Sequence, residues 1–225
     1  QLMDLEAIDV HKEAQVLTSS LSGGRRVFEM LTHPQPSFDA FASSMRSARE
    51  RNVRLLHLAG HGGSRCGFFW LKNQAVSTEY EEVSLEVFVK ILQTEAAGAN
   101  GGTIECVVLN ACDTEDMGKA LRLAGVSHVV CWRSEVQDDT AREFALQFYA
   151  SLNEQDSTRV RDYQRAFRHA VARMRSGSGA ARAPKKHLAA GAVDYVCLLS
   201  EHGDEFPDTG HIRQGEEESD SRNFL

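Results

Sequence analysis

The 225-residue sequence lacks several features, and each absence removes a class of protein. No apolar run approaches the roughly 18 residues needed to cross a bilayer, so no membrane partner is expected. The five cysteines (Cys66, Cys106, Cys112, Cys131, Cys197) are odd in number and contain no C-x-x-C pair. That disfavours a disulfide framework and a zinc knuckle alike, and points to reduced thiols in an intracellular, cytoplasmic protein. No internal repeat is present. The chain opens on Gln1 rather than methionine, so the expectation is a piece cut from something longer, whose native leader would not be visible.

What is present reads as a globular domain, with 42% hydrophobic and 25% charged residues. The formal charge of −7 is uneven. Residues 201–225 hold eight acids against Arg213 and Arg222, whereas residues 159–186 hold nine bases against Asp162 alone. No aromatic residues interleave the linker part of that basic stretch. A solvated helix face is therefore favoured over a nucleic-acid surface. The segment 208–225 lacks apolar periodicity and is expected to be a disordered acidic tail, which leaves 1–207 as the folded domain.

Along the chain, residues 2–21 space Leu5, Ile8, Leu17 and Leu21 helically until Ser22-Gly23-Gly24 breaks the pattern. A short strand at 27–31 and a Pro-containing loop follow. Ser37 is a candidate N-cap for a helix to Arg51, with Asn52 as its stop. Residues 53–58 form a strand that runs into Ala59-Gly60-His61-Gly62-Gly63. A small hairpin near 68–71 and a helix capped by Ser84 come next, then a loop at 97–102. The apolar strand 106–109 ends at Asn110-Ala111-Cys112-Asp113-Thr114. A short helix to Ala124 with Gly125 at its end, a strand at 126–132, helices at 139–152 and 158–175, a linker at 176–186 and a strand at 193–199 complete the order. The strands are continuous apolar runs alternating with helices, the pattern of a mostly parallel sheet covered on both faces. Chemistry in such sheets collects at the carboxyl ends of the strands.

Two reactive segments occupy that position. Cys106, Cys131 and Cys197 lie within strands, where a thiol acts as a small hydrophobe, while Cys66 sits in a loop near the His61 turn. Cys112 lies just past a strand and opens a helix, whose N-terminus is expected to lower the thiol's pKa. A packed core thiol would account for that position equally well. His61 follows its strand in a glycine turn, 51 residues before Cys112, close to the roughly 50-residue spacing of caspases. A cysteine peptidase needs a thiolate, a histidine to protonate the leaving amine and N–H donors for the oxyanion; the N–H groups of Gly62 and Cys112 suit the last role. Other readings of the turn fail in detail. Arg65 replaces the third glycine of a dinucleotide fingerprint, and the Gly-Lys-Ser/Thr of a P-loop is absent. His57 and His61 have the spacing of a zinc-binding helix without the helix or its acid, so no metal is expected and His57 reads as a packed strand residue.

Residues 55–62 (Leu-Leu-His-Leu-Ala-Gly-His-Gly) and 107–112 (Val-Val-Leu-Asn-Ala-Cys) resemble the CHAT domain family of clan CD cysteine peptidases. The family name denotes a caspase-like domain associated with tetratricopeptide repeats. The likeness continues through residues 125–130, 138–141, 148–152 and 165–170. It implies a caspase–hemoglobinase-like three-layer α/β sandwich with a mostly parallel central sheet, begun by a further strand upstream of residue 1. It also implies His61 and Cys112 as the catalytic pair of a cysteine endopeptidase acting on protein or peptide substrates. No cofactor is implied, and a tetratricopeptide-repeat region is expected in the full-length chain as a regulatory partner. The Gln-Ala-Cys-Arg-Gly signature of caspases is absent, so their preference for aspartate does not carry over. In relatives the residue two before the nucleophile lines the specificity pocket; here it is the neutral Asn110. Asp113, Glu135 and Asp138 could supply acidity for a basic substrate residue, although helix capping competes for them, with Asp138 or Asp139 at an N-cap position. Two other classes remain: a catalytically silent interaction or scaffold module, and a phosphate- or nucleotide-binding protein that uses the glycine turn without Cys112.

Overall fold

The computed structural model describes residues 10–22, 30, 37–63, 67–71, 80–95, 102–156, 160–176, 196–200, 203–205 and 212–213. Its helices are α1 (Val10–Leu21), α2 (Phe38–Glu50), α3 (Leu85–Glu95), α4 (Glu115–Leu123), α5 (Asp138–Asn153) and α6 (Tyr163–Ser176). The strands are β1 (Leu55–Ala59), β2 (Gly62–Gly63), β3 (Gly67–Leu71), β4 (Tyr80–Glu82), β5 (Cys106–Asn110), β6 (His128–Trp132), β7 (Val196–Ser200), β8 (Asp204–Glu205) and β9 (Ile212–Arg213).

Local chemistry sets several of these boundaries. Ser37 has extended backbone and its hydroxyl accepts from the Ala40 N–H, capping α2. Asn52 ends that segment in the left-handed region at φ 55°, which asparagine tolerates. The Ser84 hydroxyl accepts from the Val87 N–H at the start of α3. Gly125 follows α4 at φ 100°, where a side chain would be strained. The expected cap of α5 is corrected: Gln137 is the N-cap, while Asp138 and Asp139 lie in the first turn and favour the helix through its dipole.

The main sheet runs β1-β5-β6-β7-β8-β9. β1, β5 and β6 are mutually parallel, and β7 returns antiparallel to β6 with the two-residue strands β8 and β9 beyond it. Alternate residues of the strands feed two cores. Val107, Leu109, Val129, Cys131 and Leu199 pack with Phe41, Met45, Phe88, Leu92, Met117 and Leu121 from α2, α3 and α4. Cys106, Val108, Val130, Trp132 and Leu198 pack with Leu17, Phe144, Phe148, Tyr163 and Phe167 from α1, α5 and α6. The result is the expected three layers, with a sheet buried on both faces. Each fully buried aromatic or aliphatic side chain contributes about 1.5–3 kcal/mol.

A second sheet, β2-β3-β4, is antiparallel and begins at the glycines after His61. The basic residues of α6 behave as a solvated face: Arg165, Arg168 and Arg175 are exposed, and Arg173 pairs with Glu154. The strand expected at 27–31 and Cys66 lie outside the described residues, apart from Met30; so does the 176–186 linker beyond its first residue. Of the acidic segment 208–225, Ile212–Arg213 form β9 beside β8 and the rest is outside the description. No helix among the described residues is long and apolar enough to cross a membrane.

Candidate active site

The site is built by the loops that follow the three parallel strands. β1 and β5 pair from Leu55↔Cys106 to Ala59↔Asn110, and every pair in that register is 51 residues apart. His61 and Cys112 have the same separation. The Gly60 N–H donates to the Asn110 carbonyl at 3.4 Å, extending the ladder past the strand ends. The two turns then touch: a Cβ on Gly62 would fall 2.2 Å from the Cys112 carbonyl oxygen and 3.1 Å from its nitrogen. Position 62 therefore has to be glycine for the histidine turn to lie on the cysteine turn.

The cysteine turn is locked from below by Thr114, which is fully buried. Its hydroxyl donates to the Ala111 carbonyl at 3.1 Å and accepts from the Trp132 N–H at 3.1 Å. Its own N–H donates to the Trp132 carbonyl at 2.9 Å. Asp113 adopts φ 50°, so the chain bends sharply immediately after Cys112. The helix that Cys112 was expected to open begins only at Glu115.

That displacement matters for the thiol. Burial pushes the Cys112 thiol up from its ordinary value, the Val136 backbone hydrogen bond opposes this, and the charges of Asp113, Glu135 and Asp138 raise it further. The net direction is upward, the reverse of the helix-terminus expectation: partial burial and the nearby acids raise the thiol, and α4 begins only at Glu115. The Val136 N–H donates to Sγ at 3.3 Å, and the thiol donates to the Val136 carbonyl at 3.6 Å. Val136 comes from the loop after β6, so all three parallel strands contribute.

A small cleft opens here, lined by Gly60, His61, Ala111 and Cys112 from the two turns. Val136, Asp138, Ala141 and Arg142 line it from the β6–α5 side, and Asn110 and Glu13 also reach it. Glu13 and Asn110 are each only 5% exposed. Glu13 Oε1 accepts from Asn110 Nδ2 at 2.6 Å and lies 2.7 Å from His57 Nε2. Burial would raise the Glu13 carboxyl, but His57, the Asn110 amide and the Arg142 charge together hold it below its ordinary value. Asn110 Oδ1 accepts from Trp132 Nε1 at 3.2 Å, so its amide is committed at both ends. His57 Nδ1 lies 3.0 Å from the Tyr149 hydroxyl, whose proton burial retains to high pH.

The sequence-predicted residues thus separate. His61, Cys112, Asn110 and Asp138 line one cleft, and Gly62 lies against Cys112. Asp113 and Glu135 do not line it and act on the thiol through space. His57 is the expected packed strand residue, with Glu13 as its partner. Glu13, Thr114, Val136 and Arg142 were not found from the sequence. Glu13 alone left a signal: a carboxylate four residues before Leu17, on the buried stripe of α1. Among the described residues no group of three or more His, Cys, Asp or Glu side chains is placed to hold a metal ion.

A three-layer fold with a histidine turn and a cysteine turn on adjacent parallel strands is a caspase-like α/β sandwich. A family model described as the CHAT domain matches residues 2–201. Among curated proteins, a relative named Roc-COR-CHAT protease, from an unknown prokaryotic organism, is 32% identical over 99 residues. That alignment covers 44% of this chain and 9% of the relative. The chain belongs to the CHAT domain family, a caspase-like peptidase family.

Proposed function

We propose that the chain is a cysteine endopeptidase that hydrolyses protein substrates through a Cys112–His61 dyad. The observation that carries this reading is the β1–β5 register, which continues past the strand ends to bring the His61 turn against the Cys112 turn at one cleft. With its thiol raised, Cys112 is protonated at rest, so its proton passes to His61 as Sγ attacks the scissile carbonyl carbon. The N–H groups of Gly62 and Cys112 are the proposed donors to the oxyanion, a role supported by the closeness of the two backbones. The C–N bond then breaks as His61 returns the proton to the leaving amine, and the acyl group stays on sulfur. Water, deprotonated by His61, attacks the thioester; the C–S bond breaks, the acid leaves and His61 returns the proton to Sγ.

The raised thiol favours a second reading, a catalytically silent interaction module, and the same observation supports a peptidase switched on by a partner or a tetratricopeptide-repeat region. The cysteine pattern supports a reducing, cytoplasmic setting.

A peptidyl acyloxymethyl ketone probe separates the readings. Wild type labels at Cys112, Cys112→Ala loses the label, and His61→Ala labels at least about tenfold more slowly. Undiminished labelling of a folded Cys112→Ala chain would sink the assignment.

A further inference from the structure

The cleft beside Cys112 has a charge pattern that the peptidase reading does not itself explain. Glu13 reaches it from α1, 97 residues away from Asn110 in sequence, and is almost fully buried. Among the described residues both of its hydrogen bonds use Oε1, which leaves Oε2 as an acceptor. The committed amide of Asn110 holds the carboxylate in place. Asp138 adds a second acid to the lining. Arg142 is the cation of the cleft lining, and its guanidinium is bonded to Asp139. The lining thus sets two acids, Glu13 and Asp138, against Arg142 beside the thiol.

We propose that this cleft receives a lysine or arginine side chain from the residue preceding the cut, with Glu13 as its buried counter-ion and Asp138 as a second acid. The inference rests on the peptidase reading above and names its substrate class. A purely structural Glu13 would have its role completed by His57 and Asn110; it would not need to line the cleft that holds the nucleophile. A cationic side chain also acts on the chemistry. Burial does most to keep the thiol protonated; the cation offsets the added field of Asp113, Glu135 and Asp138, so the correct substrate helps to ionise its own nucleophile. An acidic side chain would meet Glu13 and Asp138 as like charges and hold the proton on sulfur.

The experiment uses the chain with peptide amides and acyloxymethyl ketones that differ only in the residue before the cut: arginine, lysine, norleucine or aspartate. Arginine and lysine should exceed norleucine in kcat/KM, or in labelling rate at Cys112, by about 100-fold. Glu13→Gln should reduce that ratio at least about tenfold. If Glu13→Gln fails to fold, Asp138→Asn at the exposed start of α5 should reduce it about threefold. A readout independent of turnover is the modification of Cys112, followed by mass spectrometry, with cationic 2-aminoethyl and anionic 2-sulfonatoethyl methanethiosulfonate; the cationic reagent should react faster. Equal or better use of norleucine or aspartate, or an unchanged ratio in folded Glu13→Gln, overturns the inference while Cys112 labelling leaves the peptidase reading intact. No cleavage and no labelling of Cys112 by any ketone overturns the peptidase reading, and the inference with it.

Discussion

Replacing Gly62 by alanine places a methyl group where the Cys112 backbone already lies. The new Cβ would stand 2.2 Å from the Cys112 carbonyl oxygen, 2.9 Å from Ala111 Cβ and 3.1 Å from the Cys112 nitrogen. Non-bonded heavy atoms settle at about 3.5–4.0 Å, so the two turns must part by on the order of 1 Å. The nearest obstacle is backbone, which cannot rotate aside as a flexible side chain can. The Cys112 turn is held by Thr114 to the end of β6, and the His61 turn by Gly60 to Asn110. The strain therefore falls on both anchors, with an overpacking cost of about 1–3 kcal/mol. For a chain of this size that lowers Tm by about 2–12 °C. A displacement of about 1 Å between nucleophile and base lowers catalysis by about 100-fold. Thermal denaturation gives the first number, and the rate of Cys112 labelling by an electrophilic peptide probe, measured well below Tm, gives the second. The loss of labelling should far exceed any loss of folded protein. A Gly62→Ala chain that melts and labels like wild type would refute the packed-turn geometry.

Three other measurements test the site. Thr114→Val keeps the shape but leaves the Trp132 N–H without its acceptor, so urea unfolding should show a loss of about 1–3 kcal/mol; Thr114→Ser should restore most of it, and a change within about 0.5 kcal/mol would contradict the role of the hydroxyl. Because the Glu13 carboxyl is depressed in the folded chain, its contribution is present above its ordinary value of 4.5 and is lost as pH falls through the lower folded value. Stability measured from pH 6 downward should therefore fall less steeply in Glu13→Gln, and an identical slope would count against the depressed carboxylate. Alkylation of Cys112 by iodoacetamide in the free chain should rise with pH through a midpoint above the ordinary thiol value of 9.0, and Asp138→Asn should lower that midpoint. A midpoint near neutrality would contradict the upward direction.

Much of the fold was legible because its causes are local. The Ser37 and Ser84 caps, the Asn52 stop and the Gly125 terminus each follow from one residue's preference for a backbone conformation. The buried strands announced themselves as apolar runs, and their alternate residues do feed two cores. Two local readings failed for a physical reason. The helix expected to open at Cys112 begins only at Glu115, because Asp113 in the left-handed region bends the chain. The N-cap expected at Asp138 or Asp139 is held by Gln137, and both acids lie in the first turn of α5.

By itself the sequence determined the order of helices and strands, the glycine turn around His61 and the cysteine turn around Cys112. It even contained their 51-residue separation as a bare number. Only the tertiary structure made that number the register of β1 against β5, because register is a property of two paired strands and belongs to neither alone. The same holds for charge. The α1 sequence contains Glu13, but its contact with Asn110 spans 97 residues, and its low carboxyl depends on His57, Asn110 and Arg142 arriving from β1, β5 and α5. Hydrophobic pattern is written along the chain, whereas the field in a cleft is set by groups that only packing brings together.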